Sequence, residues 1–281
     1  MITDTKKDLD WRAPNVENHS LDFIVEDIRN IGYTVIENAV NMDLIAEAEF
    51  RLYDAQQKIL ADIGKDRLDR AGEIGVLRLI MKYDPFFIQF LELPIIQRIV
   101  DLTISETAIL HLQNGFINPP IFNNTNNIFQ YQFHRDFPRI LNGYVASINL
   151  FVSVSEFTKE NGATLVIPGS HQKNQSLSDS YLNKKSIAIE CPPGSLIIFD
   201  STLFHAAGKN ITDKDRLGIN LQFTRSYIKQ QIDYVRALGN DLIEAQQPRV
   251  QQLLGYYTRV VTSLDEYYRS ENERFYRKGQ G

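Results

Sequence analysis

A histidine and an aspartate stand two residues apart in the aromatic-rich segment 129–137 (FQYQFHRDF). We predict that this segment is a β-strand. Alternate side chains of a strand point to one face, so His134 and Asp136 would project side by side. Two histidines and one carboxylate on one face of a metal are the protein ligands of non-haem Fe(II) oxygenases, and they leave coordination positions open. The tripeptide alone also suits the polar edge of a surface strand.

A second histidine that could complete this ligand set is His205. The segment 192–207 (PPGSLIIFDSTLFHAA) begins with a turn signal and continues as an apolar strand. His205 lies where that strand gives way to a loop. A histidine in this position can equally be a hydrogen-bonded residue of the core.

Arg216 follows His205 by eleven residues and precedes the β-patterned segment 217–223 (LGINLQF). A guanidinium binds a carboxylate through two parallel hydrogen bonds and stays charged when it is buried. An arginine that faces the interior beside a metal therefore indicates an anionic co-substrate, although an arginine at a strand start is often exposed. Together, the four positions indicate a metal site with an adjoining anion site.

The other three histidines have simpler interpretations. We expect His171, in the segment 168–171 (PGSH), to shape a turn at the cavity mouth. If it were the distal ligand, an arginine would be expected near position 182, where the chain has Leu182. His111 is expected to be a strand residue, and His19 to lie in a polar N-terminal arm.

The elements that must position these residues are mainly predicted strands. Residues 32–40 predict a strand, and apolar residues at helical spacing predict a helix over residues 42–64, with shorter helices near 85–93 and 95–102. Further predicted strands cover residues 107–118, 129–137, 144–154, 164–167, 186–190, 195–199 and 217–227, and turn signals separate them. This spacing is typical of a sandwich or jelly roll. After Gln230 the pattern is helical again, so we predict a β core wrapped by helices from both ends.

Composition narrows the class of protein. The chain has 281 residues, 43% of them hydrophobic, and a net charge of −5, which gives no basic surface for nucleic acid or anionic membranes. Its one cysteine, Cys191, forms no internal disulfide, and the first ten residues lack the apolar core of a signal peptide. No window has 18 uninterrupted apolar residues. We therefore expect a cytoplasmic protein that binds neither nucleic acid nor membranes.

The sequence resembles the phytanoyl-CoA dioxygenase family of Fe(II)- and 2-oxoglutarate-dependent oxygenases, in particular its bacterial small-molecule hydroxylases. The resemblance is carried by the His134-Arg135-Asp136 motif, the segment 161–171 (NGATLVIPGSH) and the segment 194–216. It covers roughly residues 21–227. It implies a mainly β fold with flanking helices, in which a double-stranded β-helix (a cupin-like jelly roll) spans about residues 107–227 and C-terminal helices span about 229–277. We expect residues 1–20 to form a loose arm and residues 21–281 to form a single oxygenase domain.

The resemblance also implies roles for individual residues. His134, Asp136 and His205 would bind Fe(II), and Arg216 would hold the distal carboxylate of 2-oxoglutarate. Three polar residues on neighbouring strands are further candidates for cofactor binding: Asn114, Asn118 and Asn149. One position departs from the family, because Ala207 stands where many relatives have a serine that contacts the co-substrate. We expect that one hydrogen bond to the co-substrate is lost, or is replaced by one from Ser201 or Thr202.

The implied reaction uses Fe(II), 2-oxoglutarate and O₂, and releases succinate and CO₂. Halogenating relatives lack the carboxylate ligand, so Asp136 favours hydroxylation, or desaturation or ring formation, of a small molecule. The alternatives are a non-catalytic jelly-roll binding protein and a cupin-type enzyme with another metal.

We expect the substrate pocket to be lined near Tyr131 and Phe133, by residues 137–144 and by the terminal helices. Three arginines are candidates for binding an acidic group: Arg135, Arg139 and Arg225. A CoA thioester is compatible with the sequence but no feature requires it, and the oligomeric state is not predicted.

Overall fold

The structure is a computed structural model that describes residues 21–121, 128–174, 176–274, 276–277 and 279–280. The predicted arm at residues 1–20, which includes His19, lies outside the described residues. Among the helices of the described ranges, none is both long enough and apolar enough to cross a bilayer.

The α-helices lie mainly in the N-terminal and C-terminal parts of the chain. The N-terminal half contains α1 (Leu21–Asn30), α2 (Met42–Ile63), α3 (Lys65–Arg70), α4 (Ile80–Tyr83), α5 (Gln89–Glu92) and α6 (Pro94–Thr103). The remaining α-helices are α7 (Asp179–Lys185), α8 (Tyr234–Leu238), α9 (Asn240–Glu244), α10 (Pro248–Leu253) and α11 (Leu264–Tyr267). Single 3₁₀ turns lie at Pro85–Ile88, Phe129–Tyr131 and Ser170–Gln172.

The helix predicted over residues 42–64 is α2. It begins after Asn41, whose side-chain oxygen accepts a hydrogen bond of 2.7 Å from the Asp43 backbone N–H. It ends at Gly64, where φ is 88°. Its buried residues recur every three or four positions and face the large sheet: Ile45, Ala48, Leu52, Ala55 and Ile59.

Two antiparallel sheets form the centre. The strands are β1 (Tyr33–Ile36), β2 (Val76–Arg78), β3 (Ile109–Asn118), β4 (Ser147–Ser153), β5 (Thr164–Val166), β6 (Ile187–Ala188), β7 (Leu196–Asp200), β8 (His205–Ala207) and β9 (Arg216–Thr224). One sheet has the order β1-β7-β4-β9-β3-β2 and the other has the order β6-β5-β8. Although 37% of the described residues are helical and 20% are in strands, the sheets form the centre, and the predicted fold class is confirmed.

The large sheet has an apolar outer face and a largely polar inner face. In β9, Leu217, Ile219, Leu221 and Phe223 point outward and pack in the main core with residues from α2, α4, α6 and α8. The inner-facing residues of the same strand are Arg216, Gly218, Asn220, Gln222 and Thr224. A smaller apolar cluster, which includes Phe151 and Phe157, fills one end of the space between the two sheets.

The prediction of a strand over residues 129–137 is wrong. This segment is the 3₁₀ turn Phe129–Tyr131 followed by irregular chain, with one isolated bridge from His134 to His205. The physical reason is the partner strand: β8 has only three residues, so a longer ladder has nothing to pair with. The other predicted strands are present with bounds that are shorter or shifted by one residue, whereas α1, α3, α4, α7, β2 and β8 were not predicted. Predicted helices after residue 229 are present only as the short segments α8–α11.

Candidate active site

A single backbone bridge brings the two distant histidines together. The His134 N–H donates to the His205 carbonyl, and the His205 N–H donates to the His134 carbonyl, both at 3.0 Å. Residues paired in this way point their side chains to the same side. The centroids of the two imidazole rings are consequently 4.4 Å apart.

Asp136 joins the two histidines in a compact cluster. Its Oδ1 atom lies 3.5 Å from His134 Nε2, and its Oδ2 atom lies 3.5 Å from His205 Nε2. One ligand atom from each of the three residues lies within 4.8 Å of the others. Adjacent ligands held at ~2.1 Å from a common ion are roughly 3 Å apart, so this cluster has the dimensions of a metal site.

Backbone carbonyls fix the orientation of both rings. His134 Nδ1 lies 2.8 Å from the Gln132 carbonyl oxygen, and His205 Nδ1 lies 3.0 Å from the Leu203 carbonyl oxygen. Each Nδ1–H donates to its carbonyl, which leaves the Nε2 lone pair directed at the cluster centre. Metal-binding histidines are commonly held by such a contact to the second ring nitrogen.

The three groups shift the pKa values of one another. Burial would raise the pKa of Asp136, but His205, His134 and a hydrogen bond from Asn149 lower it. Burial lowers the pKa of His205 to about 4, although Asp136 acts in the opposite direction. Burial also acts to lower the pKa of His134, but the hydrogen bond and charge of Asp136 raise it above its usual value. An ionised Asp136 and a neutral His205 are the protonation states that bind a metal.

Asn149 is a buried hydrogen-bond partner of Asp136. It is fully buried on β4 and hydrogen-bonds the Asp136 carboxylate. Its Nδ2 atom also donates to Ser201 Oγ at 2.8 Å, and its Oδ1 atom accepts from Asn220 Nδ2 at 2.9 Å. These contacts fix Asn149 as a neighbour of the metal cluster, whereas it does not belong to the described cavity lining.

Arg216 is a buried guanidinium with unused donors. The residue is 2% exposed, and its Nε and Nη1 atoms have no hydrogen-bond partner among the described residues. Its Cζ atom lies 4.4 Å from the ring centroid of Phe157 and 5.8 Å from that of Phe151. Gly218 admits the Phe151 ring, since a Cβ atom at that position would lie 2.6 Å from it.

The environment of Arg216 suits an anion. Burial lowers its pKa to about 10, so the group remains charged at neutral pH. A buried charge without a partner is costly, and a ligand carboxylate would remove that cost by accepting from both free donors.

A cavity of about 290 Å³ connects the cluster of His134, Asp136 and His205 with Arg216. Its walls are formed by inner-facing polar residues of β3 and β9 (Asn114, Asn220 and Gln222) and by the aromatic rings of Phe116, Phe129, Phe151 and Phe199. This volume suits small ligands.

Comparison with known proteins identifies the family. The sequence pattern of the family described as phytanoyl-CoA dioxygenase (PhyH) matches residues 28–218, which is more than half of the chain. The chain belongs to the phytanoyl-CoA dioxygenase family.

The chain is also similar to individual relatives and solved structures. The uncharacterized protein Rv1501 of Mycobacterium tuberculosis is 55% identical over 269 residues, covering 95% of this chain and 98% of its own. The dioxygenase cdmD of Talaromyces verruculosus is 29% identical over 151 residues, covering 53% and 48% of the two chains. The epimerase SnoN, solved with Fe³⁺, alpha ketoglutarate and nogalamycin RO, shares the fold with a TM-score of 0.58 at 16% identity, over 79% of this chain and 92% of its own.

The two asparagines of β3 differ in their surroundings. Asn114 lines the cavity, and its Oδ1 atom has no partner among the described residues. Asn118 is already engaged: it accepts from the Tyr131 hydroxyl at 2.9 Å and donates to the Gly208 carbonyl at 3.2 Å. Of this pair, which the family resemblance proposed together, only Asn114 presents an unpartnered group to the cavity.

The predicted substrate lining needs correction. Phe129 and Gln130 line the cavity, whereas Tyr131 hydrogen-bonds Asn118. Neither Phe133 nor residues 137–144 belong to the described lining, and the C-terminal part contributes Gln231 from the loop before α8. The predicted strand would have presented alternate residues, but the 3₁₀ turn presents different ones.

The candidate arginines are engaged differently. Arg135 lines the cavity, but its Nη2 donates to the carbonyls of Ser170 and Lys173 and its guanidinium lies 4.0 Å from the Phe204 ring centroid. Arg225 donates to the Val145 carbonyl and lies outside the cavity lining. No described contact links Arg139 to the cavity.

The family departure at Ala207 lies on the cavity wall. Ser201 and Thr202, the suggested replacements, point elsewhere. Ser201 Oγ lies 2.8 Å from both Ser147 Oγ and Asn149 Nδ2, and Thr202 Oγ1 donates to Asp200 at 2.6 Å. Neither hydroxyl takes the place of the family serine among the described cavity residues.

Two histidines outside the cluster have distinct surroundings. His171 is buried in the 3₁₀ turn Ser170–Gln172, where its Nε2 atom lies 3.0 Å from the Arg29 carbonyl oxygen. His111 lines the cavity although strand alternation placed it on the outer face. The register of β3 against β9 shifts between Leu110 and Leu112, so a bulge at His111 turns its ring inward. No periodic signal in the sequence marks this bulge.

Proposed function

We propose that the protein is an Fe(II)- and 2-oxoglutarate-dependent dioxygenase that hydroxylates an unactivated C–H bond of a small-molecule substrate. The observation that carries the proposal is one cavity that holds both a two-histidine, one-carboxylate cluster and a buried, partly unpaired Arg216. The family assignment supports the same chemistry.

The chain supplies the ligands in a prepared state. His134 and His205 offer their Nε2 atoms because both Nδ1 atoms are held by backbone carbonyls, and Asp136 is kept ionised by its neighbours. These groups fit Fe(II), whose facial triad takes two imidazoles and one carboxylate. When bound, Fe(II) supplies the coupling of O₂ reduction to the oxidative decarboxylation of 2-oxoglutarate and to substrate oxidation.

Arg216 would bind and orient the distal carboxylate of 2-oxoglutarate. Its free Nε and Nη1 donors and its aromatic neighbours form a site for one carboxylate that excludes water. Asn114 would donate a further hydrogen bond to the co-substrate through Nδ2. Asn149 would orient Asp136, and Asn118 would hold Tyr131 in place.

The carboxylate ligand favours hydroxylation over halogenation, because Asp136 occupies the position that halogenating relatives leave open for chloride. Desaturation and ring formation use the same ligand set. The mass of the product distinguishes them, since hydroxylation adds one oxygen atom whereas desaturation or ring closure removes two hydrogens.

The test is calorimetric binding of 2-oxoglutarate to the Mn(II)-loaded protein, followed by succinate release from the Fe(II)-loaded protein. Asp136→Ala should abolish iron-dependent succinate formation, and Asp213→Ala, on an exposed bend, should not change it. Absence of 2-oxoglutarate binding would refute the proposal and favour a binding module or another metalloenzyme. Undiminished succinate formation by Asp136→Ala would refute its role as a ligand.

A further inference from the structure

His111 is a cavity residue without a role in the proposed metal or co-substrate sites. The bulge in β3 places it beside Leu112 on the cavity wall, next to the inner-facing Gln222 of β9. The following inference rests on the proposed function and concerns the substrate.

One nitrogen of the His111 ring is tied to the backbone and the other is free. The ring donates to the Lys229 carbonyl, while Nδ1 is buried with no partner among the described residues. The bond to Lys229 therefore uses Nε2. The Gln231 backbone N–H also donates to the His111 carbonyl at 3.2 Å, so the segment after β9 fixes this position. Burial lowers the pKa of His111, which leaves Nδ1 as a hydrogen-bond acceptor.

Three further unsatisfied groups of the cavity are also neutral acceptors. The amide oxygens of Asn114, Gln130 and Asn220 line the cavity and have no partner among the described residues. Acceptors that are buried without a donor are costly. A ligand that completes this wall must therefore bring O–H or N–H groups.

The cations of the cavity differ in how many of their donors have partners. Arg78 makes a two-pronged ion pair with Glu73, with Nε donating to the two carboxylate oxygens at 2.9 and 2.8 Å. Arg135 donates through Nη2 to two backbone carbonyls and lies on an aromatic ring, while its Nε atom has no partner among the described residues. Arg216 is assigned to 2-oxoglutarate. Besides Arg216, the described lining therefore offers one unpartnered cationic N–H, that of Arg135 Nε, against four unpartnered neutral acceptors, which include His111 Nδ1.

We propose that His111 is a substrate-binding residue, and that its Nδ1 atom accepts a hydrogen bond from a hydroxyl or N–H group of a neutral polar substrate. Polyols, glycosides and amides have this chemistry. Carboxylates and phosphates bring acceptors at their charged ends, and outside the co-substrate site only the Arg135 Nε–H is unpartnered among the cationic donors of the described lining.

Two variants distinguish the role of the unpartnered Nδ1 atom from that of the Nε2 atom, which contacts Lys229. His111→Asn places an amide near Nδ1, and can keep an acceptor there, but loses the contact with Lys229. His111→Gln can reach the Lys229 carbonyl from the Nε2 position but leaves no acceptor at Nδ1. The comparison tests recognition by Nδ1 against a structural role of the backbone contact.

Succinate release is first measured with a panel of neutral polyols, glycosides and amides, and with a matched panel of their carboxylated or phosphorylated counterparts. We expect stimulation by neutral compounds. With a stimulating compound, His111→Gln should raise KM about tenfold, the size of one lost hydrogen bond to a buried group, while His111→Asn should stay within roughly threefold of the original protein. Calorimetric 2-oxoglutarate affinity should be retained in both variants, which checks that the site is folded.

Three results would overturn the proposal. The first is stimulation confined to anionic compounds, and the second is a larger KM effect for His111→Asn than for His111→Gln. The third is a ¹⁵N-histidine spectrum of the Zn(II)-loaded protein in which His111 carries its proton on Nδ1. A protein that binds no 2-oxoglutarate would overturn the proposed function as well, whereas each of these three results leaves that function intact.

Discussion

The two faces of β9 contrast in how their side chains are satisfied. Leu217, Ile219, Leu221 and Phe223 are each at most 1% exposed and complete their contacts within the core. On the inner face, Arg216 and Asn220 are nearly as buried but keep polar atoms without partners among the described residues. The fold therefore stabilises itself through the outer face, and the inner face carries a free-energy cost that a ligand can remove.

The largest effect is expected at Arg216. Arg216→Met should weaken 2-oxoglutarate binding by about 4 kcal/mol, roughly a thousandfold, because the carboxylate loses a charged two-donor partner. The same change should leave the free energy of unfolding of the ligand-free protein unchanged or higher, because a buried unpaired charge is removed. Calorimetry on the Mn(II)-loaded protein and urea unfolding measure the two quantities.

Arg225 offers a matched control. It directly follows β9, but its Nε atom donates to the Val145 carbonyl at 3.2 Å and it lies outside the cavity lining. Arg225→Met should retain 2-oxoglutarate affinity. If both variants bound the co-substrate normally, the inner face would have no special role in anion binding.

On the outer face of β9, we expect a substitution to lower stability without changing the affinity for 2-oxoglutarate. Leu221→Ala should lower the free energy of unfolding by about 3 kcal/mol, because a fully buried side chain leaves a cavity in the core. The affinity of the folded protein for 2-oxoglutarate should not change. Denaturant unfolding checks the first expectation, and Leu221→Met, which nearly conserves volume, should recover most of the lost stability. A Leu221→Ala protein that is stable but binds weakly would contradict the division between faces.

Much of this division was predictable from side-chain alternation. The apolar and polar residues of segment 217–223 alternate with the period of a strand, and the residue types of His134, Asp136, His205 and Arg216 indicated the chemistry. Alternation succeeds here because β9 is regular and pairs on both sides with long strands.

Side-chain alternation gives wrong predictions where the strands are irregular. The bulge at His111 inverts the direction that alternation predicts, and His134 is placed by one bridge to a three-residue strand and not by a continuous ladder. Alternation treated Asn114 and Asn118 as equivalent, yet only tertiary contacts with Tyr131 and Gly208 distinguish them. Such contacts join residues far apart in the chain, which periodicity within one segment does not record.

The site should also make stability depend on pH where the outer core does not. The pKa of His205 falls from 6.5 to about 4 on burial, so between these values the unfolded chain binds the proton more tightly. The stability that neutral His205 contributes is therefore complete above pH 6.5 and is lost as the pH falls toward 4, by up to about 3 kcal/mol. Unfolding of the metal-free protein between pH 4 and 8 should show this loss, and His205→Gln should reduce it. The destabilisation caused by Leu221→Ala should be the same at both ends of the range, and a loss that is equally steep in His205→Gln would exclude His205 as its source.

The smallest effect, at Asn149, tests whether the contrast extends from β9 to its neighbour β4. Asn149→Leu keeps a similar volume but removes the hydrogen bonds to Asp136, Ser201 and Asn220. Metal affinity should fall about tenfold, because the carboxylate loses the partner that orients it, and 2-oxoglutarate affinity at saturating metal should change little because Arg216 is untouched. Competition with a metal chelator measures the first quantity and calorimetry the second. Leu150→Met, on the outer face of the same strand, should leave both affinities unchanged. Equal metal affinities in the two variants would mean that β4 serves the site only by packing, and that the functional polarity of the inner face is confined to β3 and β9.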